Sequence, residues 1–212
     1  STSSRGLGDV YKRQVEHPVT EQITGKDLVK EQINIAKGKV LSFTQEELSI
    51  QGHSIEVRVY AEDAVANFMP GTGVLKEYRR PQGLGVRVDD GLEQGMEVSI
   101  YYDPMIAKLI TFAPTRDEAI ARMKRAISEY RISGVQTTLD FAQYVMNHDA
   151  FVSGKFDTHF VQNYFTPESL IPENESLEAL GAAALASMLQ ENKASQKTVI
   201  NEKPSRWKSN RG

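Results

Sequence analysis

Gly52-His53-Ser54-Ile55-Glu56-Val57-Arg58-Val59-Tyr60-Ala61-Glu62-Asp63 is the stretch from which the architecture can be read. Ile55, Val57 and Val59 alternate with Glu56, Arg58 and Tyr60, the period of a strand with one buried face. Residues 73–78, 85–89 and 106–112 are further strand candidates, set apart by the turn signals Pro70-Gly71 and Pro81-Gln82-Gly83. Downstream the period changes. Thr115 to Tyr130 places Ala119, Ile120, Met123, Ala126 and Ile127 on one helical face, and 139–146 and 159–165 also read as helices. Upstream, Thr24 is the expected cap of a helix over 25–36, with Leu28, Val29, Ile33 and Ile35 near helical spacing and Gly38 ending it. Strands followed by helices predict an α+β fold with an antiparallel-rich sheet flanked by helices.

Composition narrows the class. The 212 residues suffice for one good domain and a tail, and the net charge of −3 gives no electrostatic argument for nucleic acid. Cysteine is absent, which excludes a disulfide framework and a thiol nucleophile. No run is long enough to span a membrane, and residues 1–13 lack the apolar core of a signal peptide. Residues 176–190 are Ala/Leu-rich, with Leu177, Leu180, Ala184 and Met188 on one face of an expected helix. From Glu191 the chain is polar and reads as a flexible tail, with Trp207 isolated among basic residues.

The densest chemistry lies in Gln14-Val15-Glu16-His17-Pro18-Val19-Thr20-Glu21. Val15 to His17 reads as a strand end stopped by Pro18. Two readings of this run stay open on the residues alone: a functional cluster facing a cleft, or a capped loop with solvated charges.

Several blocks, in order, resemble the biotin carboxylases of acetyl-CoA, propionyl-CoA, methylcrotonyl-CoA and pyruvate carboxylases. They are Gln14 to Glu21 with its continuation Ile23 to Gln32, Gly52 to Asp63, Phe68-Met69-Pro70 with Gly73, Tyr101 to Ile110, Arg116 to Ala126, and Gly134 to Thr138. The resemblance runs over 14–166 and is to the C-terminal part of that family. It implies the end of an ATP-grasp domain over 14–40 and the biotin carboxylase C-terminal domain over 41–166; beyond it, composition predicts an Ala-rich helix and flexible tail over 167–212. Upstream, where the family pattern is Glu-Met-Asn-x-Arg, this chain has Gly8, Val10 and Lys12. Residues 1–13 are therefore expected to be a non-native leader. Lys12 is a poor substitute for the arginine, because an ammonium is a point charge where a guanidinium is a two-pronged fork.

The resemblance also implies a chemistry. In these enzymes ATP, with Mg2+ or Mn2+, activates bicarbonate as carboxyphosphate, and the carboxyl group moves to N1 of protein-bound biotin. Glu16 matches the general base, a carboxylate needed because bicarbonate must lose a proton. Gln14 and the Val15 backbone match the bicarbonate-binding groups. Arg58 matches the cation that stabilises negative charge on the biotin ureido oxygen. Asp103 belongs to a block near the biotin pocket, Thr158 and His159 to a segment near the adenine pocket, and Leu84 and Arg87 to a dimer-contact strand. No metal ligand and no biotin attachment site is assigned within this chain. The implied partners are a biotin carboxyl carrier protein, a carboxyltransferase and a second copy of the enzyme, in the cytoplasm, for instance in the acetyl-CoA carboxylase of fatty acid biosynthesis. Without the resemblance, Arg58 reads as an exposed cross-strand partner of a glutamate, His17 as a structural histidine, and Glu21, Glu62 and Asp63 as solvated or capping charges. Three functions follow. One is the C-terminal part of a biotin carboxylase, inactive alone. Another is an independent ligase, for which no phosphate-gripping loop is seen. The third is a non-catalytic dimerisation or interaction module built on residues 176–212.

Overall fold

The computed structural model describes residues 16–99, 103–170, 181 and 184–188. The chain divides into two units, one up to Leu170 and one from Ile171. In the first, α1 (Pro18–Thr24) and α2 (Leu28–Ala36) precede strand β1 (His53–Tyr60). The short strands β2 (Glu62–Asp63), β3 (Met69–Pro70), β4 (Gly73–Val74), β5 (Glu77–Arg79), β6 (Val86–Asp90) and β7 (Glu97–Val98) lead to the long β8 (Met105–Ala113). Then come α3 (Arg116–Glu129), β9 (Arg131–Ser133), α4 (Leu139–Asn147), α5 (Asp149–Val152), α6 (Phe160–Tyr164) and a 3-10 turn, Pro167–Leu170. In the second unit Gly181 and residues 184–188 are helical; Leu177, Leu180, the leader and the tail lie outside the described residues.

The centre is a three-stranded antiparallel sheet in the order β1-β8-β6. Its register sets Arg58 opposite Lys108 and Lys108 opposite Asp89; two residues along, Glu56, Ile110 and Arg87 share a row. The other face carries the rows Val57-Leu109-Val88 and Ile55-Thr111-Val86. Helix α3 covers that apolar face with Ala119, Ile120, Met123, Ala126 and Ile127, the stripe expected from the sequence. Thr115 caps α3, its hydroxyl accepting from the Glu118 N–H at 3.3 Å. The α+β class and the antiparallel sheet are thus as the sequence predicts.

Local expectations differ in three places. Pro18 starts a helix instead of ending a strand; its fixed φ and missing N–H suit a first turn. Thr24 does not cap the next helix. Gly25, left-handed at φ 67°, closes α1, and Asp27 caps α2 by accepting from Lys30 N–H at 2.8 Å. The strand expected over 73–78 is split, because the chain changes partner in its middle. Leu75 N–H donates to Met96 and Lys76 N–H donates to Ser133, both at 2.9 Å, while the Leu75 side chain is fully buried. This crossing requires Gly134: a Cβ there would lie 1.9 Å from the Val74 carbonyl oxygen, at φ 100°. Asn67 and Phe68 also hold positive φ, offset in part by edge-on packing of Phe68 against Phe141 with centroids 5.0 Å apart.

Candidate active site

The polar face of the sheet begins with strand alternation. Since Val57, Val59 and Leu109 point into the core, Glu56, Arg58 and Lys108 must project from the other side. Glu16, just before α1, enters that face. Its carboxylate pairs through Oε2 with Nη2 of Arg58, and through Oε1 with Nζ of Lys108 at 3.1 Å. Arg58 and Glu16 keep 50 % and 41 % of their side chains exposed, whereas Lys108 keeps 13 %. One carboxylate is therefore gripped by two cations, one at the open surface and one almost enclosed.

A second carboxylate lies deeper. Glu56 Oε1 is 3.9 Å from Arg58 Nε, and its side chain is only 8 % exposed. Oε2 has no hydrogen-bond partner among the described residues. Burial raises the pKa of Glu56 above the ordinary carboxylate range; Asp89 adds to this, while Lys108 and Arg87 oppose it. Alongside runs a second chain of charges. Arg87 grips Asp89 with two bonds of 2.7 Å and reaches Glu21 at 3.2 Å, and Glu21 accepts from the Leu28 N–H at 2.8 Å. These contacts tie α1, which carries the chain on from Glu16, to β6 and α2. The strand bearing Arg58 is fixed from its outer edge by Thr138, which accepts from Tyr60 N–H at 3.1 Å and donates to the Arg58 carbonyl at 3.3 Å.

A match to the biotin carboxylase C-terminal domain spans residues 56–163, half of the chain. The chain belongs to the biotin carboxylase C-terminal domain family. Residues 11–44 separately match the ATP-binding domain of the carbamoyl-phosphate synthase L chain. Biotin carboxylase 1 of Bacillus subtilis is 54 % identical over 151 residues, 71 % of this chain and 34 % of that one. A pyruvate carboxylase subunit of Methanothermobacter thermautotrophicus is 53 % identical over 163 residues, 74 % of this chain and 33 % of that one. Among solved structures, the biotin carboxylase domain dimer of Hydrogenobacter thermophilus 2-oxoglutarate carboxylase, in complex with MgADP, ADP and bicarbonate, aligns with a TM-score of 0.72 at 43 % identity. That alignment covers 76 % of this chain and 35 % of that one. The chain thus spans about a third of the length of these three relatives.

The residues singled out from the biotin carboxylase resemblance are not all brought together. Glu16 and Arg58 meet directly; Gln14 and Val15 lie outside the described residues. Asp103 is engaged in a turn, accepting from Met105 N–H at 3.0 Å, and its charge adds to burial in raising the Glu62 pKa. Thr158 and His159 are exposed on the turn before α6, where the His159 N–H donates to Asp157 at 2.8 Å. Leu84 projects into solvent, 89 % exposed, whereas Arg87 spends its guanidinium within the chain. His17 and Glu21 begin and continue α1. Sequence reasoning missed Lys108 and Glu56. A charge inside the apolar run Met105 to Ile110 was the available signal for Lys108; nothing local marked Glu56.

The face suits a small anion or a polarised carbonyl, since an exposed guanidinium and a deeper ammonium converge beside one carboxylate. Among the described residues no group of three or more His, Asp or Glu side chains could hold a metal ion.

Proposed function

We propose that this chain is the C-terminal part of a biotin carboxylase, contributing the base and the ureido-facing cation for carboxylation of carrier-borne biotin by ATP and bicarbonate. The observation that carries this reading is the Glu16 carboxylate held between Arg58 and Lys108 on the rigid polar face of the sheet. ATP with Mg2+ would supply the activation of bicarbonate, with most of the ATP and metal ligands coming from the rest of the ATP-grasp domain, whose end matches residues 11–44.

Glu16 accepts the bicarbonate proton. A carboxylate gripped by two cations is a poor acceptor, so one of them must be drawn away at the moment of transfer. Arg58, the exposed one, turns its terminal N–H groups to the ureido oxygen of the incoming biotin, which frees Glu16; when N1 then gives up its proton to the phosphate set free as carboxyphosphate breaks down, the same groups stabilise the negative charge on that oxygen. Lys108, almost enclosed, stays and keeps Glu16 in place. The preceding Gln14 and the Val15 N–H orient bicarbonate, and Asp103 borders the biotin approach. Thr158 and His159 border the adenine end once the rest of the ATP-grasp domain is present. Leu84 and Arg87 lie at a homodimer contact. The other partners are a biotin carboxyl carrier protein and a carboxyltransferase, in the cytoplasm. The final acceptor is an acyl-CoA, as in an acetyl-CoA carboxylase serving fatty acid synthesis; relatives named for pyruvate and 2-oxoglutarate make a 2-oxo acid the competing acceptor.

The test joins residues 14–212 to the N-terminal two-thirds of the Bacillus subtilis relative and measures bicarbonate-dependent ATP hydrolysis and carboxylation of free biotin. Activity in the joined protein and none in this chain alone is expected. A joined protein that folds, dimerises and binds ATP without carboxylating biotin overturns the reading.

A further inference from the structure

Glu56 is a buried acid without an assigned task. It points to the same face as Arg58, two residues away on β1, and lies in the row Glu56-Ile110-Arg87 beneath the row Arg58-Lys108-Asp89. At 3.9 Å its Oε1 is in ion-pair range of Arg58 Nε but beyond hydrogen-bond length. Its other oxygen is sealed from solvent and unpartnered among the described residues. A half-used, enclosed carboxylate is costly, and natural folds retain one chiefly where it does something. The charged groups facing it are Arg58 on its own strand, Lys108 on β8, and Arg87 and Asp89 on β6. Glu16 and Glu21 come from the side of α1, Glu16 already bound to Arg58 and Lys108 and Glu21 to Arg87. Arg58 is the only one of these cations within 4 Å of Glu56 among the described residues.

We infer that Glu56 is a positioning residue for Arg58: it holds the guanidinium by Nε when the terminal nitrogens leave Glu16. The inference rests on the proposed roles of Glu16 and Arg58. A guanidinium has donors on two edges, so Nε can close on Glu56 while Nη1 and Nη2 turn to the ureido oxygen. Without that anchor, Arg58, half exposed on a long side chain, would either remain on Glu16 or swing into solvent. The buried carboxylate therefore converts a static ion pair into a two-position switch.

The direct test needs no reaction. In the 212-residue chain, carboxyl 13C NMR follows the titration of Glu56 in wild type and in Glu16→Gln, which removes the competing charge. The switch predicts that Arg58 closes on Glu56 in Glu16→Gln, so that the Glu56 midpoint falls and the Arg58 Nε–H resonance moves downfield. Unchanged Glu56 titration and an unchanged Nε–H resonance would overturn it. In the joined enzyme, Glu56→Gln is expected to lower kcat by roughly tenfold to a hundredfold with the KM for bicarbonate unchanged. Restoration by Glu56→Asp is not expected, because the shorter acid withdraws from Nε. A wild-type joined enzyme without activity would count against the biotin carboxylase reading, while the titration would still decide the Arg58 switch. Full kcat in Glu56→Gln would overturn the positioning role alone.

Discussion

The two faces of the β1-β8-β6 sheet are made by alternate residues of the same strands, yet they differ in exposure and charge. On one, Val59 and Leu109 are fully buried and Thr111 Oγ1 donates to the Ala119 carbonyl at 3.2 Å, so even its polar group is consumed by packing. On the other, Arg58 and Glu16 are half exposed, Glu56 is buried without a full complement of bonds, and three cations and four carboxylates share a small area. One face is packed. The other is charged and partly open, with Arg58 and Glu16 at the surface and Glu56, Lys108 and Ile110 beneath them. A rigid strand can place exposed side chains accurately because its opposite side is locked.

Breaking the locked face should have the largest effect. Leu109→Ala opens a cavity at the centre of the sheet and is expected to cost about 3 kcal/mol, read as a lowered chemical-denaturation midpoint. A loss below about 1 kcal/mol would mean that α3 is not seated on β8 as described. The next test addresses the outer edge of β1. Thr138→Val removes the hydroxyl that bonds Tyr60 N–H and the Arg58 carbonyl, at a cost of about 1–2 kcal/mol. Because the bonds flank the register shift between Val59 and Tyr60, Arg58 should be displaced as well, visible as a moved Nε–H resonance. A pure stability loss with an unmoved Arg58 would separate the edge from the site.

The smallest effect is a pH dependence at the start of β1. His53 Nε2 lies 3.1 Å from Arg116 Nη1; burial, then the Arg116 charge, lowers its pKa below the usual imidazole value. The neutral ring is thus favoured in the folded state. Its contribution is complete above the unfolded value of about 6.5 and is lost as pH falls through the lower folded value. Thermal melts at about pH 7.5 and about pH 5.5 should show wild type losing more stability on acidification than His53→Gln. Equal losses would remove His53 from the account.

Much of the locked face was legible in the sequence, because helical and strand periods are local signals. Residues 55–59 and 119–127 announced their buried sides, and the apolar run 106–112 announced a strand. The short pieces were harder. Pro18 suits a helix start as well as a strand stop, and Thr24 and Asp27 are both competent caps; Gly25, turning left-handed, decides between them. Residues 73–79 change partner at Leu75 and Lys76, and no local pattern encodes a partner. The polar face was half legible. Glu16 and Arg58 were found through the family resemblance, but Lys108 and Glu56 enter the site through cross-strand register and burial, which only the fold supplies.

The most direct test of the separation between the faces compares Glu16→Gln with Leu109→Ala in the joined enzyme, measuring the rate of free-biotin carboxylation beside the melting temperature. Glu16→Gln should lose at least about a hundredfold in rate and melt only slightly lower, since Arg58 is half exposed and the amide oxygen still accepts from the enclosed Lys108. Leu109→Ala should melt lower and, below its transition, retain most of its rate. A Glu16→Gln enzyme that carboxylates biotin at the wild-type rate would contradict the assignment of the polar face to the chemistry.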